Sequence, residues 1–222
     1  MKIVIIAATG GIGRQLLRQA LDAGHDVTAV VRSPHKLAGI PVRTVAADLA
    51  RPDPAALASA VAGADAVLSG LGARTSAEAG VAERGTRAVV DAMRATGVRR
   101  LIVVSAAPIG TVPSPDRPHP PRHDPGDGFV MRHLGAPFAR TAFRTHYADL
   151  ARMEDVVRAS DLDWTVSRPP KLTNGPVTGR YRTAIGRNIR GGFSVSRADV
   201  AHHMLHAVDR PETIRRIVGI AS

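Results

Sequence analysis

The 222-residue chain has no cysteine. Disulfides, a thiolate-held metal and a thiol nucleophile are thereby excluded from any mechanism. Aromatic residues make up only 3% of the chain, too few for the stacking platform that single-stranded nucleic acids need. Lysine occurs only at Lys2, Lys36 and Lys171, so arginine supplies nearly all of a formal net charge of +11. That balance favours anionic partners. The arginines are spread along the chain, however, so solubility and attraction for an anionic small molecule are expected in preference to specific nucleic-acid binding. No apolar run approaches the roughly 20 residues that cross a bilayer. The first one, Ile3 to Ala8, breaks at Thr9 and Gly10, too short for a secretory signal. The expectation is a cytoplasmic protein without membrane contact, as a monomer or small homo-oligomer.

What the chain does have is alternation. "KIVIIAA", "DVTAVVR", "VRTVAAD", "DAVLSGLG" and "RRLIVVSAA" are apolar runs of strand length, separated by helix-period segments such as "GRQLLRQALDAG" and "AEAGVAERGTRAVVDAMRATG". This pattern predicts a doubly wound parallel α/β sheet of Rossmann type with helices on both faces, five strands of it complete by residue 106. Residues 108–128, "PIGTVPSPDRPHPPRHDPGDG", carry too many prolines for helix or central strand. They predict a loop acting as a lid, a binding loop or a disordered excursion. Beyond it, a helical stretch ending at "EDVVRAS", a strand "DWTVSRPP", a helix "SRADVAHHMLHAVDR" and a strand "IRRIVGIA" predict a small carboxy-terminal cap on the same sheet. Residues 1–222 read as one domain.

The stretch "AATGGIG" lies where the first strand turns into the first helix. There Gly10 lets the backbone approach a pyrophosphate, Gly13 lets helix and strand pack closely, and the new helix offers free N–H groups to an anion. A turn without a ligand is the competing reading. Ala7 stands where such turns usually have their first glycine; positive φ there would cost alanine about 1 kcal/mol or more, which predicts a negative φ or an altered turn. At the end of the second strand, "AVVRSPHKL" places Arg32 where a 2′-phosphate would be held, with Lys36 close by and no carboxylate in that turn. NADP(H) is therefore favoured over NAD(H). Asp48 could bond an adenine amino group or cap the turn that follows it.

Taken together, "IIAATGGIG", "VTAVVRSPHKL", "DAVLSGLGAR", "ERGTRAVVDAMRATGVRRLIVVSA", "ARMEDVVRASDLDWTVSRPPKLTNGPVTGRY" and "SVSRADVAHHML" resemble, in order, the atypical short-chain dehydrogenases with an NAD(P)H-binding, NmrA-like domain, and within them the biliverdin-IXβ reductase/flavin reductase type. The resemblance implies that Thr9, Gly10, Ile12 and Gly13 wrap the pyrophosphate, that Arg32 holds the 2′-phosphate, and that Asp48 and Leu49 sit by the adenine. It implies further that Gly72 and Arg74 flank the ribose and phosphates, that Ser105 lies beside the nicotinamide, and that Pro169 and Pro170 shape the pocket wall. Lys171 stands where flavin reductases of this type often carry histidine.

Short-chain dehydrogenases commonly reduce carbonyls with a Tyr-x-x-x-Lys pair, and this chain has none: neither Tyr147 nor Tyr181 is followed four residues later by lysine. Tyr147 reads as a packing residue. A hydride acceptor that needs no strong protein acid, such as a flavin, a quinone or another conjugated small molecule, fits better. Ser105 could then orient the nicotinamide amide or the substrate, and Lys171 could attract an anionic substrate. Two other readings remain: a non-catalytic NADP(H)-binding redox-sensing regulator, and a non-redox isomerase or dehydratase on the same fold. His202, His203 and His206 lack a further ligand, and they predict solvent-facing histidines, not a metal site. His119 and His123 could reach a pocket only if the Pro-rich loop closed as a lid.

Overall fold

The computed structural model describes residues 1–73, 75–128 and 143–222. The first apolar run forms strand β1 (Lys2–Ile6). Its side chains alternate, Val4 and Ile6 entering one buried cluster while Ile3 and Ile5 enter another. Both faces of the strand are covered, which is why it is apolar throughout. The strands that follow are β2 (Asp26–Val31), β3 (Arg43–Ala46), β4 (Ala66–Ser69), β5 (Arg100–Val104), β6 (Asp163–Arg168), β7 (Lys171–Thr173), β8 (Arg182–Ile185), β9 (Ser194–Ser196) and β10 (Arg216–Ala221). Eight of them form one sheet in the order β3-β2-β1-β4-β5-β6-β10-β8, parallel except for β8, which runs antiparallel to β10. Strands β7 and β9 pair separately, in parallel.

Helices α1 (Gly11–Asp22) and α5 (Arg197–His206) pack together on one face of the sheet. Helices α2 (Pro54–Val61), α3 (Val81–Thr96) and α4 (Arg144–Arg158) cover the other, with α3 between α2 and α4. The doubly wound sheet expected from the alternation is present. Sheet order reverses between β1 and β4, so the connections leaving their carboxyl ends diverge and open a crevice there. Among the described residues no helix is long and apolar enough to cross a membrane.

Local chemistry fixes the helix starts. Asp53 accepts the N–H groups of Ala55 (2.9 Å) and Ala56 (3.3 Å) and Pro54 opens the first turn of α2. Helix α3 follows Gly80 and has no side-chain cap of its own. Its Ala82 and Glu83 N–H groups instead donate to Asp149 of α4, at 3.1 and 3.0 Å, and Asp149 is fully buried. Two helices far apart in sequence are thus tied by one carboxylate.

The Pro-rich loop is anchored along the body of the protein. The Ser114 hydroxyl donates to Asp155 Oδ1 (2.9 Å), the Asp116 N–H donates to Asp155 Oδ2 (3.3 Å), and Arg117 donates to the Ile109 carbonyl (2.8 Å). Buried Asp124 accepts the N–H groups of Gly126 (2.9 Å) and Asn188 (2.8 Å). Carboxylates thereby satisfy backbone groups that the prolines bar from regular structure.

Candidate functional site

A cavity of about 280 Å³ opens at the carboxyl ends of the central strands. Its floor is the turn after β1. Ala7 there adopts φ +58°, the left-handed region, and its carbonyl accepts the Gly10 N–H at 2.8 Å. The expectation of a negative φ or an altered turn is corrected: the glycine geometry is kept and alanine bears its steric cost. Ala7→Gly should therefore raise stability by about 1 kcal/mol, as read by urea unfolding. No gain would mean that the extra backbone freedom of glycine in the unfolded chain cancels the relief.

Gly13 faces away from the cavity. A Cβ on it would lie 2.1 Å from the Ala7 carbonyl oxygen, and a Cβ on Gly70, after β4, would lie 3.0 Å from the Gly13 nitrogen. Gly13 is the point at which α1 touches the sheet. Thr9, Gly10 and Ile12 do line the cavity. Gly10 precedes α1 in extended conformation without a side-chain cap, so the first N–H groups of the helix are left for another partner.

Sequence reasoning missed Arg197, at the start of α5, which lines the same region. A Cβ on Gly11 would come within 2.8 Å of Arg197 Nε, so this side chain lies directly on the glycine turn. Its Nη1 donates to Asn174 Oδ1 at 2.7 Å and to the Thr173 carbonyl at 3.3 Å. Nothing local in the sequence separates it from the other scattered arginines.

At one end of the cavity stand Arg32, Lys36, Asp48 and Leu49. Asp48 Oδ1 accepts the Ala50 N–H at 3.1 Å, so it caps its own turn as well as lining the cavity. Arg32 Nη1 donates to Glu78 Oε1 at 3.1 Å, and Glu78 also lines the cavity. The turn after β2 is free of carboxylates, as expected, yet the fold delivers one from 46 residues away.

Ser105, at the end of β5, lines the cavity and donates its hydroxyl proton to Glu154 Oε1 at 2.7 Å. Glu154 has no exposed surface and also accepts Arg168 Nε (2.8 Å) and Arg158 Nη2 (2.8 Å). Burial alone would push its carboxyl up, but the charge and hydrogen bonds of Arg168, with Arg158 and Ser105, hold it below the usual carboxylate range. The only proton of the Ser105 hydroxyl is therefore committed inward, and its oxygen meets the cavity as an acceptor.

Gly72 lines the cavity; Arg74 lies outside the described residues. Pro169, Pro170 and Lys171 do not line it. The Pro169 carbonyl accepts the Ala107 N–H at 2.9 Å, fixing the end of β6 to the start of the Pro-rich loop. Lys171 is exposed, whereas its neighbour Leu172 reaches the cavity, because successive strand residues point to opposite sides. No residue of the Pro-rich loop, His119 and His123 included, lines the cavity in this structure.

The fold places His146 and Leu150, one turn apart on α4, in the cavity wall. The His146 Nδ1 is buried with no hydrogen-bond partner among the described residues, and burial, partly offset by Asp149, lowers its pKa. Their i, i+4 spacing was the available signal. Tyr147 packs against the core and its phenol is pushed up by burial, in keeping with a packing role. On α5, His203 is buried and not solvent-facing as expected, and Tyr181 Oη lies 2.8 Å from His202 Nδ1. Among the described residues no group of three potential ligands could hold a metal.

Residues 7–211 match the family model described as NAD(P)H-binding. The chain belongs to the NAD(P)H-binding family. A relative in Bacillus subtilis, named an uncharacterized sugar epimerase YhfK, is 28% identical over 97% of this chain and 92% of its own length. Among solved structures, ChuY of Escherichia coli, described as an anaerobilin reductase, is 24% identical with a TM-score of 0.76, covering 100% of this chain and 97% of that one. A wide-type short-chain dehydrogenase/reductase from Veillonella parvula, solved with NADP, is 21% identical with a TM-score of 0.74, covering 100% and 94%. Both structures share the family's Rossmann-type fold.

Proposed function

We propose that the chain is an NADPH-dependent oxidoreductase that delivers hydride to a flavin, a quinone or a similar conjugated small molecule. The observation that carries this reading is the uncapped start of α1, set between the Arg32 end of the cavity and the Ser105 wall. Free helix N–H groups and Arg197 suit a diphosphate. Arg32 and Lys36 suit a phosphorylated ribose, and an acceptor oxygen on Ser105 suits a carboxamide NH₂. Bound there, the reduced nicotinamide supplies the hydride. The chain's own residues bind, orient and exclude water. No tyrosine lines the cavity and the Ser105 proton is committed to Glu154, so an acceptor that takes its proton from solvent fits better than a simple carbonyl.

The test is titration with NADPH and NADH, followed by addition of FMN, riboflavin and a quinone while nicotinamide absorbance is recorded. Steady oxidation is the expected result. Binding without oxidation would favour the redox-sensing regulator, a product of unchanged redox state would favour the isomerase reading that the name of the Bacillus relative suggests, and no binding would remove the dinucleotide reading. In the active chain, Ser105→Ala should lower turnover roughly five- to tenfold, the worth of one hydrogen bond, with dinucleotide affinity little changed. Unchanged kinetics would make Ser105 a partner of Glu154 and nothing more.

A further inference from the structure

The pair at the Arg32 end of the cavity bears on which dinucleotide is taken. Glu78 comes from the short helical turn Ser76–Glu78 between β4 and α3, and it meets Arg32 at 3.1 Å with side-chain exposures of 23% and 50%. The guanidinium that would receive a 2′-phosphate already holds a carboxylate. A 2′-phosphate, carrying close to two negative charges, would have to share Arg32 with Glu78 or displace it, and in either case would sit beside a carboxylate. A 2′-hydroxyl faces no such conflict: it can donate to a carboxylate oxygen while Arg32 stays paired.

We propose that Glu78 sets the dinucleotide preference, holding down affinity for NADP(H) and admitting NAD(H) despite Arg32. This assignment rests on the dinucleotide reading above. It makes Glu78 a selector through its charge, set beside the guanidinium that a 2′-phosphate would need.

Glu78→Gln removes the charge while keeping size and an acceptor oxygen, and its effect should be read by calorimetric titration. The probes are NADPH and NADH, and in parallel adenosine 2′,5′-bisphosphate and adenosine 5′-phosphate, which report this end of the cavity without any redox step. The expected result is NADPH and the bisphosphate bound at least fivefold tighter, with NADH and the monophosphate unchanged or weaker. The gap should shrink as salt screens the charge. Equal shifts for both kinds of ligand, no shift, or weaker NADPH binding would overturn the assignment. Arg32→Ala is the companion variant: it should weaken NADPH at least tenfold and NADH far less, and equal losses would remove Arg32 from the 2′-phosphate and overturn the selector with it. Failure of the parent chain to bind any of the four probes is a different result, which overturns the dinucleotide reading itself.

Discussion

Replacing Glu154 by alanine should lower the free energy of unfolding by about 3–5 kcal/mol, the usual consequence of removing one member of a buried ion pair. Arg168 is only 5% exposed and directs Nε and Nη2 at this carboxylate, while Arg158 and Ser105 reach it from other sides. Without Glu154 the Arg168 cation stays buried facing the space its partner occupied. In a chain of this size the thermal midpoint should drop on the order of 10 °C. Glu154→Gln should cost less, since it keeps the shape and one acceptor. The sign with pH follows from the lowered carboxyl pKa: the stabilisation is present above the unfolded carboxylate value and is lost as pH falls through the folded one. The variant and the parent should therefore converge in acid. A loss below 1 kcal/mol at neutral pH would mean that the two guanidiniums find other partners.

The second large effect is expected at His203. Burial, with smaller contributions from the charges of Arg210, His202 and His206, pushes this imidazole down to about 4, and its Nε2 has no hydrogen-bond partner among the described residues. The unfolded chain takes up a proton near the ordinary histidine value of about 6.5, whereas the folded chain resists until about 4. Stability is therefore full above pH 6.5 and falls as pH drops toward 4, by about 3 kcal/mol from this one group. His203→Phe should flatten the curve by that amount between pH 7 and 4, measured by urea unfolding at several pH values. If the slopes of the two proteins coincide, His203 is protonated in the fold at ordinary pH and its surroundings accommodate the charge.

Most of the central sheet is legible in the residues alone, because strands covered on both faces are written as unbroken apolar runs, as in Ile3 to Ile6 or Leu101 to Val104. Strands β7, β8 and β9 are not. Their segment, "KLTNGPVTGRYRTAIGRNIRGGFSVS", is rich in glycine and arginine and mostly exposed, so it carries no alternation to read. The site divides on the same line. Thr9, Gly10, Ile12, Arg32 and Ser105 belong to turns whose role is local and recognisable, and the fold brings them to one cavity. Glu78 and Arg197 join that cavity from other elements, and His146 from a helix whose apolar partner Leu150 was the only hint. Lys171 fails for a reason a single residue of strand register decides. Ala7 bears a steric cost at φ +58°, and the turn keeps its shape regardless, held by the Ala7 carbonyl bond to Gly10 and the close approach of Gly13.

The cross-link from Asp149 to the start of α3 also gives the cavity an electrical direction. Two helix beginnings reach the cavity wall, α1 through Gly11 and Ile12 and α3 through Val81. The partial positive charge at the start of α3 is cancelled by a buried carboxylate, whereas that at the start of α1 is not. Of the two helix beginnings, only that of α1 therefore draws an anionic centre. In the function proposed above, the diphosphate of the dinucleotide would take that pole, with Arg32 at one end of the cavity to receive the adenosine half and Ser105 in the wall to receive the other.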